Sequence, residues 1–331
     1  MKYTNRDDLP LSLAVFLITD NYDHEQAGIS ATGLLKPTRQ IILSKRVPEQ
    51  DQVSDISGNI ASALGTAVHD GIEKAWLDGN IAEKMMALGY PERVANKVRI
   101  NPSREEALQD RKMIPVFMEQ RLYREIDGVT VSGKFDMLIN GQLEDFKNTS
   151  TFTYMNETKA WDYSMQGSIY RWLDPELITE PTIAISYNFT DWQAFQARAN
   201  PKYPKTRMLQ KHYPLLPLDE TEAFIRNKLN EVKQFMDAPE EDIPHCSDKE
   251  LWRSEPKYKY YRNPDLAAKG GRSTKNFDTL QEARDRHLKD GGVGTIITVP
   301  GQVKACLYCP AFDLCSQKDA LIRDGSLILP T

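Results

Sequence analysis

Residues 129–147, VTVSGKFDMLINGQLEDFK, constrain this chain more than any other stretch. Val131, Gly133, Phe135, Met137 and Ile139 recur at period 2, with Lys134 and Asp136 on the opposite side, as in a half-buried strand. Asn140-Gly141 follows, the dipeptide that best tolerates the positive φ angles of a type I′ turn. The return strand then sends Leu143, Asp145 and Lys147 one way and Glu144 and Phe146 the other. A two-residue turn sets Asp136 across from Asp145, with Lys147 pointing the same way. Like charges facing each other on a sheet are destabilising unless a cation or a buried role compensates. Two carboxylates and a lysine converging among apolar neighbours make a hard-cation site with an ammonium beside it. The plain alternative is a solvated charged face.

Composition narrows the class without naming a partner. The 331 residues carry 42 Lys+Arg and 47 Asp+Glu, a net charge of −5, so a nucleic-acid surface must be a local patch. A hydrophobic fraction of 40% suffices for a sizeable core in one elaborated domain or two. The start reads as no signal peptide, and no apolar run approaches the ~20 residues of a membrane span, so a soluble, cytoplasmic protein with no membrane partner is expected.

Residues 57–79 form a strong helical pattern, with Ile60, Leu64, Ala67, Val68, Ile72, Ala75 and Trp76 as its expected buried stripe. His69 and Glu73, four apart, share one flank, and Gly65 and Ala67 would allow the helix close to a sheet. Ser103 with Glu105 and Glu106 starts a further helix, and residues 122–126 read as a strand entering the hairpin. Beyond it come a polar loop, a helix over residues 157–173 with Tyr163, Gln166 and Tyr170 a turn apart, strands near 181–190 and 208–215, and a helix over 218–236. Helices, a hairpin, then helix, strand and helix fit an α/β core with a central mixed sheet, here 1–236 with a helical N-terminal portion.

From residue 237 the character changes, and 237–331 is expected as a separate segment. Residues 247–289 hold 11 Lys+Arg against 7 Asp+Glu, an excess of +4, with Trp252, Tyr258, Tyr260 and Tyr261 interleaved. Aromatics among cations suit single-stranded nucleic acid, where bases stack and phosphates pair; a lysine-rich surface loop is the alternative. All four cysteines lie in this segment, Cys246, Cys306, Cys309 and Cys315. Clustered cysteines in an intracellular protein point to a metal centre, zinc or a [4Fe–4S] cluster, rather than disulfides.

The order Gly-x-x-Asp, short gap, Asp-x-Lys resembles the core of the PD-(D/E)XK nucleases. Gly65-x-x-x-His69 ahead of it and Gln166-x-x-x-Tyr170 behind it resemble the RecB-type exonucleases of that superfamily. The C-terminal cysteines resemble the iron–sulfur staple of AddB-type and CRISPR-associated exonucleases, which carry their first cysteine ahead of the nuclease motifs; here none precedes Cys246. The resemblance implies a restriction-endonuclease-like fold and a Mg²⁺- or Mn²⁺-dependent DNA nuclease acting on ends or single strands. It implies His69, Asp136, Asp145 and the Phe146 carbonyl as metal ligands, Lys147 as a catalytic cation, and Gln166 and Tyr170 as site helpers. Cys246, Cys306, Cys309 and Cys315 would hold the cluster, with zinc as the alternative and His245 as a competing zinc ligand. DNA is the implied partner, with recombination or replication proteins possible beside it. An inactive nucleic-acid-binding subunit and a phosphohydrolase acting on small nucleotides are the rival readings.

Overall fold

The computed structural model describes residues 2–19, 28–48 and 53–329. The chain divides into two compact units, Met1–Leu35 with Val53–Asn230, and Lys36–Gln52 with Glu231–Thr331.

The first unit is built on seven strands: β1 (Ile29–Ser30), β2 (Val98–Ile100), β3 (Ile114–Ile126), β4 (Val129–Ile139), β5 (Gln142–Thr149), β6 (Thr182–Phe189) and β7 (Met208–Pro214). They lie in the order β2-β3-β4-β5-β6-β7, with β1 beside β4. The β3–β4, β4–β5 and β6–β7 pairs are antiparallel; β2–β3, β5–β6 and β1–β4 are parallel. Helices α1 (Ile60–Leu77), α2 (Ala160–Leu173) and α3 (Leu218–Phe235) belong to the same architecture, and α2 makes the crossover that the parallel β5–β6 pair needs. This is an α/β fold with a mixed sheet flanked by helices, as a restriction-endonuclease-like core requires.

The sheet is covered on both faces. One face packs Phe117, Phe135, Leu138, Ile183 and Ile185 against Tyr170 and Trp172 of α2 and Ile225 of α3. The other packs Val98, Val116, Met118 and Met137 against Ile72 and Trp76 of α1. Two two-residue turns fix the register of the central strands: Asp127-Gly128 (φ 51° and 76°) and Asn140-Gly141 (φ 47° and 87°).

The strict alternation expected along β4 does not hold. Phe135 lies in one core and Met137, two residues on, in the other, although residues two apart on a regular strand share a face. The neighbouring strand does the same, with Met118 and Leu122 on opposite sides. The cause lies between them. Glu119 adopts φ 51°, and the ladder pairs Met118 with Met137 and Gln120 with Phe135 but skips the Glu119–Asp136 pair. The β4–β5 ladder likewise stops at Met137–Glu144, one pair short of Asp136 and Asp145, and beyond that point β1 rather than β5 flanks β4.

Helix α1 is less buried than its pattern suggests. Ile60 and Leu64 are 40% and 47% exposed, and only Val68, Ile72 and Trp76 of the expected stripe are shielded. A methyl group added at Gly65 would meet nothing within 4 Å, so close packing does not explain that glycine. The helix meets the sheet through its second half alone.

In the second unit, β8 (Lys257–Tyr261), β9 (Lys275–Phe277) and β10 (Thr295–Val299) form an antiparallel sheet in the order β9-β8-β10, with helix α4 (Leu280–Lys289) between β9 and β10 in the chain and α5 (Ser316–Arg323) after β10. Tyr260 and Tyr261, expected as base-stacking residues, are instead 0% and 6% exposed, and Tyr260 donates to the Val293 carbonyl at 2.8 Å. β8 is the central strand, so its aromatics pack inward. Trp252 remains half exposed. Among the described residues no helix is long and apolar enough to cross a membrane.

Candidate active site and cysteine cluster

The skipped ladder pairs open a gap in the sheet, and the charged residues gather there. Asp136, freed from strand pairing, accepts the Phe146 N–H on Oδ2 at 2.8 Å. His69 of α1 lies above the gap. Its Nε2 is 2.9 Å from the Phe146 carbonyl, which can only accept, so Nε2 carries the proton. In the neutral ring Nδ1 is then the lone-pair nitrogen, and it lies 3.6 Å from Asp136 Oδ2 and 4.0 Å from Glu119 Oε1. One ligand atom from each of His69, Glu119 and Asp136 lies within 4.8 Å of the others. Among the described residues this is the one such trio.

Asp145 points to the other side of β5, into the core, and is 2% exposed. Its Oδ2 meets Lys147 Nζ at 2.5 Å yet takes no aligned hydrogen bond, while Oδ1 accepts from Gln166 Nε2 at 3.0 Å. Gln166 also donates to Tyr170 Oη at 2.9 Å, and Tyr170 donates to the Lys134 carbonyl at 2.8 Å. This chain runs from one strand of the hairpin to the other through α2 and fixes the direction of the Asp145 carboxylate. Gln166 and Tyr170 are 8% and 3% exposed, so they act on the site from behind it. Gly133 makes the chain possible, because a Cβ there would come within 2.7 Å of the Tyr170 ring.

The electrostatics follow from the crowding. Burial and the neighbouring Asp145 charge push Asp136 up to about 7, against the pull of Lys147, His69 and the Phe146 N–H. Burial pulls Lys147 down, but Asp145 and Asp136 outweigh it and raise the ammonium above its ordinary value. Lys147 is therefore protonated, and Lys134 is held by Glu119 at 2.8 Å. A cavity of about 280 Å³ opens beside these groups, lined by His69, Phe146, Lys147, Asn148, Asn188 and Met208 among others.

These residues fit a hard divalent cation. A proton-retaining Asp136 beside the Asp145–Lys147 pair, and an imidazole nitrogen between the Asp136 and Glu119 carboxylates, crowd acids together whose repulsion a cation would relieve. His69, Asp136, Asp145, Lys147, Gln166 and Tyr170 thus converge, and the Phe146 carbonyl sits among them as the acceptor of His69. Glu144 plays no such part: it lies toward Gln210 and His212. Glu119 was missed. It was legible in the turns, since counting back from Asp127-Gly128 and Asn140-Gly141 as two-residue loops sets Glu119 level with Asp136 and Asp136 level with Asp145, although the ladders themselves skip those pairs.

In the second unit, Cys246, Cys306, Cys309 and Cys315 line one small cavity together with Arg39, Phe312 and Gln317. None is in a disulfide. Burial, reinforced by Glu250 and then by the other cysteines, pushes the Cys246 thiol up to about 12, and burial with Cys315 and Cys309 pushes the Cys306 thiol to about 11. Gln317 grips Cys246 twice, accepting its N–H at 2.8 Å and donating to its carbonyl at 2.9 Å. His245 is not part of the cavity wall.

No protein-family model matches the sequence, and no curated protein matches it. Two solved structures are similar in part. The protein SSO0001 is 17% identical, covers 66% of this chain and 81% of its own, and superposes with a TM-score of 0.36. A phage-related exonuclease from Haemophilus somnus 129PT is 14% identical, covers 64% of this chain and 95% of its own, with a TM-score of 0.28. Likeness at this level carries neither fold nor chemistry, which rest on the residues described above.

Proposed function

We propose that this chain is a metal-dependent DNA nuclease, a phosphodiester hydrolase acting on DNA ends or single strands. The observation that carries the reading is the gathering of His69, Glu119 and Asp136 at one break in the sheet, with the Asp145–Lys147 pair close enough to act on Asp136 by charge. His69 Nδ1, Asp136, Asp145 and Glu119 would hold Mg²⁺ or Mn²⁺, with the Phe146 carbonyl at hand. Bound there, the ion supplies a polarised phosphate and a water acidic enough to ionise near neutral pH. Lys147, protonated and held by Asp145, faces that same place and offsets negative charge developing on the phosphate. Gln166 and Tyr170 keep Asp145 aimed, and the Phe146 carbonyl keeps His69 in the tautomer that can coordinate. A site with intact acids and lysine favours an enzyme over an inactive binding subunit.

Four thiolates around one cavity support a second centre in the C-terminal unit. Four thiols lining one cavity could take either tetrahedral zinc or a [4Fe–4S] cluster, and the resemblance of the Cys306-x-x-Cys309 and Cys315 spacing to an iron–sulfur staple makes the cluster the first choice.

The test uses purified protein with end-labelled single-stranded and duplex DNA, closed circular DNA and free nucleotides, each with Mg²⁺, with Mn²⁺ and with chelator. Metal-dependent loss of the end-labelled strands supports the reading. Hydrolysis of free nucleotides alone would identify a phosphohydrolase, and DNA binding without cleavage would identify a binding subunit.

A further inference from the structure

Arg39 belongs to the helix Thr38–Arg46, 207 residues ahead of Cys246 in the chain (246 − 39), yet both lie in the second unit. It is 2% exposed, among the most deeply buried large side chains of the protein. A guanidinium so placed must spend its donors well, since each unpaired one costs about 1–3 kcal/mol. Nη1 donates to the Ile243 carbonyl at 2.7 Å and to the Glu240 carbonyl at 3.2 Å. Nη2 reaches Ser316 Oγ at 3.4 Å and pairs with the Glu240 carboxylate. Nε points at Cys315 Sγ, 3.2 Å away.

The first four contacts explain a structural bolt. Nε–H to sulfur does not fit that account, because a neutral thiol is a weak acceptor and a poor use of a buried charged donor. A thiolate, or a thiolate carrying metal, is a good one. Glu240 already balances the charge of Arg39, so what Cys315 receives is a directed N–H rather than a bare cation. The bolt also sets the frame of the cage: Ile243 lies three residues before Cys246, and Ser316 follows Cys315.

We propose that Arg39 is a positioning residue of the cysteine centre, donating Nε–H to the metal-bound Cys315 thiolate and stabilising its charge. This rests on reading the four cysteines as a metal centre. Hydrogen bonds to ligating sulfur stabilise the reduced, more negative state of an iron–sulfur cluster, so Arg39 raises its potential and slows its loss. The N-terminal segment, which carries no cysteine, thereby reaches the centre through a donor.

Arg39→Lys, Arg39→Met and the control Ser316→Ala test this in anaerobically purified full-length protein. The measurements are iron content, the rate of iron loss to a chelator, the midpoint potential, and Tm with the metal bound and after its removal. In wild type the metal should raise Tm. In both Arg39 variants that gain should shrink, iron should leave about 10-fold faster or more, and the potential should fall, while Ser316→Ala behaves as wild type. Arg39→Lys keeps a cation against Glu240 and the carbonyls, so it decides the matter should Arg39→Met fail to fold. If the variants lose equal Tm in both forms, with iron retention and potential unchanged, Arg39 is a bolt and the proposal falls. Wild-type protein that holds no metal and gains no stability from any would instead remove the cysteine centre itself.

Discussion

His69 donates its Nε2–H to the carbonyl of Phe146 at 2.9 Å, and that single bond turns the ring so that Nδ1 faces Asp136 and Glu119. Phe146 in turn gives its N–H to Asp136. The backbone N–H and C=O of one residue between Asp145 and Lys147 therefore orient an aspartate from β4 and a histidine from α1. Such partners fix tautomer and aim before any ion arrives.

Asp136→Asn should abolish DNA cleavage and leave the fold intact. It should also change how stability depends on pH. Asp136 is held up to about 7 from an ordinary 3.8, so the folded protein keeps this proton more tightly than the unfolded chain. Its contribution to stability is full below pH ~4 and is lost as pH rises through ~7. Metal-free Tm should fall between pH 5 and 8 in wild type and fall less in the variant, and divalent metal should cancel the wild-type loss at pH 8. Equal pH profiles for the two metal-free proteins would contradict this.

Lys147→Ala should lower turnover by on the order of 100-fold or more at saturating metal, as expected for removing one charge-stabilising group. Metal affinity should change little, because an ammonium does not coordinate a cation. Titrating cleavage with Mg²⁺ separates the two, and a variant that regains full rate at high metal would make the lysine structural.

Glu119→Gln removes a charge that Lys134 now shares and that faces His69. If Glu119 helps hold the ion, the variant should need about 10- to 100-fold more metal for half-maximal rate. Calorimetric titration with Mn²⁺ checks this directly. Unchanged affinity would leave Glu119 as the partner of Lys134 alone.

Tyr170→Phe deletes the hydroxyl that joins Gln166 to the Lys134 carbonyl. With Tyr170 3% exposed, the orphaned groups should cost about 1–3 kcal/mol in chemical denaturation. Cleavage should slow with substrate affinity unchanged, since the residue acts through Asp145. Weakened DNA binding at constant rate would instead place it on the substrate.

Cys309→Ser should release the metal of the second unit and expose residues 300–316 to protease first, because their small apolar cluster includes Cys246 and Cys306 themselves. The Mg²⁺ requirement of the first unit should persist. Residues 257–299 have their own sheet and helix and should resist longer.

The amino-acid order by itself determined the hairpin, its turn and the α/β class, whereas the facing Asp136–Asp145 pair it predicted is not formed, because the ladder stops at Met137–Glu144. The hairpin and its turn are local: positive-φ dipeptides and period-2 patterns act within a few residues, and register follows by counting. Gln166 and Tyr170 were legible as a pair one turn apart, though not that they stand behind Asp145 in a buried chain of hydrogen bonds. Only the tertiary structure decided the break at Glu119 and Asp136, because a left-handed residue inside a strand is chosen by two competing cores rather than by the strand's own pattern. It alone buried Tyr260 and Tyr261, since a tyrosine reads the same on a binding face and in a small sheet. It alone brought Arg39 to Cys315, a contact across 276 residues for which no periodicity exists and which is formed because a buried guanidinium must find acceptors wherever the fold presents them.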